Sequence, residues 1–483
     1  MAELDKKKVL NATKWSAITE VVAKLVNPIT QMVLARLLAP EAFGIVATIV
    51  MVVTFAEIFT DAGFQKYLIQ HEFSDEDDRE QSTNVAFWSN LAMSMFLWLV
   101  IYLFEDRIAI LVGNPGLGYV ITIACVSIPL EAFSSIQMAL YKRDFDFKTL
   151  FKARVIGVLI PLLVTIPLAF WLRSYWALVI GTIVANAVNA IVLTAFSKWK
   201  PKFYYSWSKL KEMFSFTVWS MIEAISIWLT NYVDVFIVGV ALSQYYLGLY
   251  KTSISIVGQI TAVIVSITTP ILFSALSRLQ NDRIGFQNMF YKFQKLVGVL
   301  IIPVGVGIFC YRNLITQILL GDQWSEASFF IGLWGLTSSV TIVLAHYSSE
   351  VYRSLGKPKL SVLAQWLHII VLWPVVMLSV KHGFETLCVA RSIVRFELVI
   401  VQLIIMYYLV KLSPTRMIKN ILPSVLAASV MAGVSYLLVS ISATTTWTII
   451  SIIISSIVYL IPISIFPKER ELIIDFVRKF VHK

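Results

Sequence analysis

The sequence predicts an all-α, polytopic membrane protein. It has 14 transmembrane helices, arranged as two pseudo-symmetric six-helix lobes around a central cavity, with two extra helices towards the C-terminus. Three observations predict this. Hydrophobic residues make up 58% of the 483 residues and charged residues only 14%, far from the balance of a soluble globular chain. Apolar runs of roughly 20 residues, each able to cross about 30 Å of hydrocarbon, recur along the whole length. The chain also matches itself at an offset of 204: Trp15, Ser16, Asn27, Gly44 and Thr48 fall on Trp219, Ser220, Asn231, Gly248 and Thr252. Apolar helices share Leu, Ile and Val by chance, whereas matched Trp-Ser, Asn, Gly and Thr point to duplication.

Helices 1 to 6 lie near 15–38, 42–64, 84–104, 117–140, 151–172 and 175–196 and form the N-lobe, 1–197. After a polar linker at 198–211, helices 7 to 12 near 212–239, 247–277, 290–311, 328–353, 360–380 and 386–410 form the C-lobe, 212–410. Helices 13 and 14, near 417–440 and 446–466, occupy 411–466 without a counterpart, and 467–483 is an amphipathic tail. An even number of crossings separates helix 1 from helix 7, so the copies insert with the same orientation. Such a parallel repeat places its lobes about an axis along the membrane normal. With the N-terminus inside, the outer side holds five of the 40 Lys and Arg: Arg36, Arg107, Arg173, Arg312 and Lys381. Four more, Lys24, Lys251, Arg391 and Arg395, lie within spans, and the other 31 are cytoplasmic. This bias predicts that both termini are cytoplasmic.

Lys6, Lys7 and Lys8 run straight into a full-length span with no evident cleavage site, so the N-terminus is read as uncleaved. Cys125, Cys310 and Cys388 all lie in apolar segments, which argues against a disulfide framework, a zinc site and redox chemistry. The longest outer loop, near 105–116, leaves little room for catalysis outside the bilayer. There is no phosphate-binding Gly loop, His/Cys cluster or nucleophile elbow, so neither an enzyme nor ATP-driven transport within this chain is expected. Two peripheral stretches suit an anionic leaflet of membrane lipids: 198–211, KWKPKFYYSWSKLK, and 468–483, where Leu472, Ile473, Phe476, Val477, Phe480 and Val481 repeat with helical spacing. An ordinary basic linker and tail would have the same composition.

Charge inside a span is costly and usually faces a cavity or a partner. Helix 1 carries Glu20, Lys24, Asn27 and Gln31 in one stripe, with Lys24 about 14 Å down, close to the midplane. Lys24 is the sharpest candidate for binding an anionic substrate, and an intrahelical pair with Glu20 is the bland alternative. Helix 12 sets Arg391, Arg395 and Gln402 on one face. Two arginines one turn apart can grip a phosphate or pyrophosphate bidentately and cannot escape by deprotonating; pairing with acids, or snorkelling of Arg391, competes with that reading. Lys251 reads chiefly as a snorkelling residue and secondarily as a substrate contact. Helix 2 presents Thr54, Glu57 and Asp61 on one face, and helix 7 presents Glu223, Ser226, Thr230 and Asp234. Carboxylates in a dry cavity can carry protons or coordinate Na⁺ and so couple transport to an ion gradient. Glu57 and Asp234 are the better candidates, with Glu20 on helix 1 a further one and Asp61 and Glu223 near the cytoplasmic interface; His346 and Glu350 on helix 10 can join them. Asn27-Pro28, Pro129, Pro161, Pro270, Pro303 and Pro374 interrupt spans, where kinks free carbonyls for cavities.

The run ARLLAPEAFGIVATIVMVVTFAEIFTDAGFQKYLIQ at 35–70 resembles the bacterial polysaccharide transporter family, within the superfamily that also contains multidrug extruders and peptidoglycan-precursor flippases. LYKRDFDFKTLFKARV at 140–155, DVFIVGVALSQYYLGLYKTSISI at 234–256 and YRSLGKPKL at 352–360 resemble it in the same order. Val240 departs from it, standing where the family often has a basic residue. The resemblance implies a monomeric fourteen-helix flippase of the bacterial inner membrane. Its substrate would be an undecaprenyl-pyrophosphate-linked oligosaccharide, moved by alternating access for O-antigen, capsule or exopolysaccharide assembly, alongside a polysaccharide polymerase and co-polymerase and without nucleic acid. A multidrug antiporter of the same architecture is the runner-up, though mid-depth Lys and Arg fit cationic drugs poorly. A membrane-embedded glycan polymerase or ligase should carry a long catalytic outer loop.

Overall fold

The predicted spans form helices. In the computed structural model, residues 2–471 are described apart from 62, 443 and 468, and the side chains of 2–14, 16, 17, 20, 21, 61, 214–220, 222 and 223 lie outside that description. The helices are α1 (Ala2–Leu37), α2 (Pro40–Asp61), α3 (Glu76–Leu103), α4 (Gly118–Arg143), α5 (Phe147–Leu172), α6 (Trp176–Phe196) and α7 (Trp207–Ala241). They continue as α8 (Gln244–Arg278), α9 (Arg283–Cys310), α10 (Ala327–Ser354), α11 (Lys359–His382), α12 (Phe384–Val410), α13 (Pro414–Ile441) and α14 (Thr445–Ile465). Among the described residues, 13 helices are long and apolar enough to cross a membrane, α1 being outside that set. The polar stripe dilutes α1, and its first turns belong to the undescribed side chains. The proposed amphipathic tail lies almost wholly outside the described residues.

Helix ends follow the local chemistry. The Asp75 carboxylate accepts from the Asp78 N–H at 2.7 Å and starts α3, Asp282 accepts from Gly285 N–H at 2.9 Å and starts α9, and Ser413 accepts from Arg416 N–H before Pro414. Prolines act where their missing N–H matters. Pro129 cannot donate to the Cys125 carbonyl, and α4 breaks at Cys125 and Val126. Pro161 opens a π-helical turn, Pro161–Thr165, inside α5. The expected interruptions at Pro28, Pro270, Pro303 and Pro374 are not breaks, because α1, α8, α9 and α11 run through them as continuous α-helix.

Two compact units result, 1–248 and 249–483. In the first, α1 packs on α5, α3 on α4, α4 on α6, α5 on α6, and α7 along α2. In the second, α9 packs on α10, α10 on α12, and α11 on α12, repeating three pairings six helices later, while α13 and α14 pack on each other and on α9. The units divide one helix after the linker because α7 lies against α2. A further trace of the duplication is a short helix after each third span, Glu105–Leu111 behind Phe104 and Arg312–Leu319 behind Tyr311.

Within the first unit, Gly44 and Gly248, exact repeat mates, meet where α2 and α8 begin. A methyl carbon on Gly44 would lie 1.9 Å from the Gln244 carbonyl oxygen, and one on Gly248 would lie 1.9 Å from that of Pro40. Pro40 and Gln244 are themselves repeat mates, so the contact is reciprocal. Beside it, Thr48 bonds to the Asn114 amide, and Gln244 donates to the Gly113 carbonyl at 2.7 Å.

The basic stretch at 140–155 is a clamp. Arg143 donates to the carbonyls of Leu68 and His71 at 2.7 and 2.8 Å and stacks 4.5 Å from the Phe73 ring, closing the short helix Phe64–Gln70. Arg79 grips both oxygens of Asp144 at 2.9 Å, and Asp146 caps α5 through Thr149. Charge-assisted bonds of this kind are worth about 1.5–3 kcal/mol each. Arg143→Gln is therefore expected to destabilise the first unit by about 2 kcal/mol, read as a lower thermal midpoint of the purified chain. The linker docks on α3: Lys202 pairs with Glu80 at 2.6 Å, Lys209 pairs with Asp78, and the Trp88 indole donates to the Lys202 carbonyl at 2.9 Å. Phe203 and Trp207 stay 91% and 72% exposed.

Candidate functional site: cationic and aromatic groups inside the helical units

In the first unit, the α1 stripe and the α2–α7 seam carry the predicted groups. Lys24 and Gln31 are half-buried and Asn27 is exposed. The apolar Leu25 and Ile29 are 63% and 56% exposed. At 3.6 residues per turn they stand roughly 150° round the helix from the stripe, so the polar groups turn away from the lipid-like face. Glu20, Asp61 and Glu223 have side chains outside the description. On the seam, Trp228, the repeat mate of Lys24, donates its indole N–H to Thr54 Oγ1 at 3.2 Å and to the Met51 carbonyl at 3.3 Å. Phe55 lies 4.8 Å from Trp228, Tyr232 stacks on it at 5.5 Å, and Phe59 meets Phe55 at 5.3 Å. Glu57 is half-buried one turn from Thr54. Asp234 is buried, its Oδ1 accepting from the Val235 N–H at 2.8 Å.

In the second unit, both arginines of α12 converge on one ring. Arg395 lies 3.9 Å and Arg391 5.0 Å from the centre of Trp334 on α10. A Trp face attracts cations, and more strongly when water is excluded. Arg395 Nη1 donates to Ser338 Oγ at 2.7 Å and to Thr337 Oγ1 at 3.3 Å. Its Nε and Nη2 take no protein hydrogen bond, and it makes no salt bridge, among the described residues. Arg391 is buried and donates from Nε to the Tyr250 hydroxyl at 3.2 Å, so snorkelling does not describe it. Tyr250 stacks on Phe330 at 5.1 Å and Phe330 meets Trp334 at 5.4 Å, an aromatic column that fixes the platform. Gln402, on the same face, accepts from Tyr352 at 2.5 Å. Lys251 is half-buried on α8. His346 is exposed while Glu350 is buried beside Arg353 at 3.4 Å, so they form no pair.

Trp334, Thr337 and Ser338 were missed from sequence, although their i, i+3, i+4 spacing mirrors that of the arginines. His368 on α11 and Glu397 on α12, 2.8 Å apart, were also missed; nothing in sequence pairs residues on separate helices.

Residues 33–329 match the polysaccharide biosynthesis protein family. The chain belongs to that family. It is 24% identical over 336 residues to the succinoglycan biosynthesis transport protein ExoT of Rhizobium meliloti (strain 1021), covering 69% of this chain and 67% of that one. Over 324 residues it is 22% identical to the lipopolysaccharide biosynthesis protein WzxC of Escherichia coli (strain K12), covering 66% and 65%. The fold is similar to the lipid II flippase MurJ in an inward closed conformation, with a TM-score of 0.73, 18% identity, and coverage of 95% and 99%. With its apolar helices, this makes it a multi-pass membrane protein whose fold is similar to that of MurJ.

Proposed function

We propose that the protein is a flippase that moves undecaprenyl-pyrophosphate-linked oligosaccharide repeat units from the inner to the outer leaflet of a bacterial inner membrane, for O-antigen, capsule or exopolysaccharide assembly. Family membership supplies the polysaccharide setting. The observation that carries the substrate class is the Arg391–Arg395 pair on Trp334, with Arg395 having no carboxylate partner and two free donors among the described residues. Two guanidinium groups side by side repel each other, and an anion such as a pyrophosphate relieves that cost while taking the remaining N–H groups of Arg395. Lys24 adds a cation on α1, with Asn27 and Gln31 beside it for hydroxyl groups, and Lys251 is a secondary contact. The Phe55–Trp228–Tyr232 seam offers flat apolar faces against which sugar C–H faces pack.

Alternating access carries the head group and sugars across while the polyprenyl tail stays in lipid, both termini being cytoplasmic. An inward flux of H⁺ or Na⁺ through Glu57 or Asp234, or the membrane potential acting on the charged head group, supplies direction. Removing Glu57 by Glu57→Gln is expected to make export insensitive to the coupling ion's gradient while leaving head-group binding in place, measured in proteoliposomes with imposed gradients. The chain acts as a monomer beside a polysaccharide polymerase and co-polymerase. Deleting the gene should remove the surface polymer and leave lipid-linked repeat units in the inner leaflet, and purified protein in vesicles should expose a labelled lipid-linked oligosaccharide to an outer enzyme. Drug hypersensitivity of the deletion strain with normal polymer would overturn the reading in favour of a multidrug extruder.

A further inference from the structure

Beyond Tyr352, which bonds to Gln402, the run YRSLGKPKL at 352–360 takes no part in the cationic site. It closes one side of a cavity of about 830 Å³ in the second unit, walled by Gly356, Lys357, Pro358, Lys359 and Leu360 on one side. Ile404, Ile405, Tyr408 and Leu409, the last turns of α12, make the other. Gly356 adopts φ +67°, a left-handed turn that carries the chain from α10 into α11 and sets both lysines on the rim. Lys411, just beyond α12, lies 5.4 and 5.7 Å from the rings of Tyr407 and Tyr408 and adds a third cation at the same end. Lys357, Lys359 and Lys411 are exposed and none makes an ion pair among the described residues, whereas the neighbouring Arg353 is held by Glu350.

We infer that this cavity is a binding site for an anionic diacyl phospholipid of the cytoplasmic leaflet. The chemistry is divided as such a lipid requires: lysines at the mouth for the phosphate and its headgroup charge, isoleucine and leucine below for the upper acyl chain, and a Tyr at the boundary between them. Basic pockets between membrane helices on the cytoplasmic side suit such headgroups. The transported glycan-lipid fits this cavity poorly. Apart from the lysines and the Tyr408 hydroxyl, the wall offers no polar side chain to meet sugar hydroxyls. The assignment rests on the cytoplasmic placement of the α10–α11 loop and is independent of what the arginines bind.

The full chain, purified in detergent with phosphatidylglycerol or phosphatidylcholine added back, tests it by native mass spectrometry and thermal unfolding. Wild type should retain phosphatidylglycerol and gain thermal midpoint with it, and phosphatidylcholine should do neither. In Lys357→Gln/Lys359→Gln/Lys411→Gln, retention should fall by at least tenfold with an unchanged midpoint in phosphatidylcholine. Should the triple variant be poorly produced, Lys359→Gln alone should lower retention severalfold. Equal retention in wild type and variant, equal retention of the two lipids, or recovery of a polyprenyl phosphate from the cavity in place of a phospholipid would each overturn the assignment. No transport is measured, so failure of the flippase reading would leave this result unaffected.

Discussion

Arg395→Gln is expected to abolish polymer export while changing the stability of the protein little. The two halves of that result have separate causes. A charge-assisted bond to a phosphate is worth about 1.5–3 kcal/mol, so losing the guanidinium should weaken head-group binding roughly 10- to 150-fold. Arg395 makes its protein bonds to neutral hydroxyls and to a Trp face, with Arg391 on the same ring. Substitution therefore leaves no carboxylate unpaired and removes a repulsion, which offsets the lost bonds to the hydroxyls and the Trp face. Arg395→Lys should recover part of the binding, since an ammonium keeps the charge but lacks the planar fork. The measurements are surface polymer in a deletion strain carrying each variant, binding of a labelled polyprenyl pyrophosphate by purified protein, and its thermal midpoint. Export at wild-type level with normal protein amounts would remove Arg395 from the site. A lower midpoint with intact binding would make it a structural residue.

Gly248→Ala is the second large effect, and here the sign is reversed: stability falls first. The new methyl carbon would stand 1.9 Å from the Pro40 carbonyl oxygen, so α2 and α8 must separate by more than about 1 Å to restore ordinary contact, a displacement that forfeits a quarter to a half of the dispersion at the seam. Overpacking of this type costs about 1–3 kcal/mol. Gly44→Ala should cost about the same, because it strikes the mirror contact with Gln244. The double variant should cost clearly less than the two combined, since one separation of the helices serves both methyl groups. Gly258→Ala is the control: nothing lies within 4 Å of that position in α8, and the helix should gain up to about 1 kcal/mol from the change. Thermal unfolding of the four proteins in one detergent decides it, additive losses from Gly44 and Gly248 being the result that would rule out a shared contact.

Much of this fold was legible because the membrane imposes it. Without water to satisfy backbone groups, long apolar runs have to be helices, and among the described residues 13 of the predicted runs are helices long and apolar enough to cross a membrane, at nearly the predicted places. Capping signals such as Asp75 and Asp282 lay outside the apolar runs, which is why α3 and α9 start several residues earlier than hydropathy alone indicates. The repeat was legible for a different reason. Its matched glycines are the residues that two crossing backbones cannot replace, and Gly44 and Gly248 proved to touch each other.

The candidate site was legible one helix at a time. Spacing along α12 placed Arg391 and Arg395 on one face, and spacing along α1 placed Lys24 with Asn27 and Gln31. By itself the sequence determined the class of protein, its helices, its duplication and the cations held inside spans, since each follows from local composition, period or an internal match. Only the tertiary structure decided that a single indole, Trp334, receives both arginines, that Trp228 fills the repeat position of Lys24 by bonding to α2, and that the basic run at 140–155 serves as a clamp. Those outcomes depend on which helix faces which. In a lipid environment that choice is made by close packing and interhelical hydrogen bonds between distant residues, and the apolar period along any one helix does not record it.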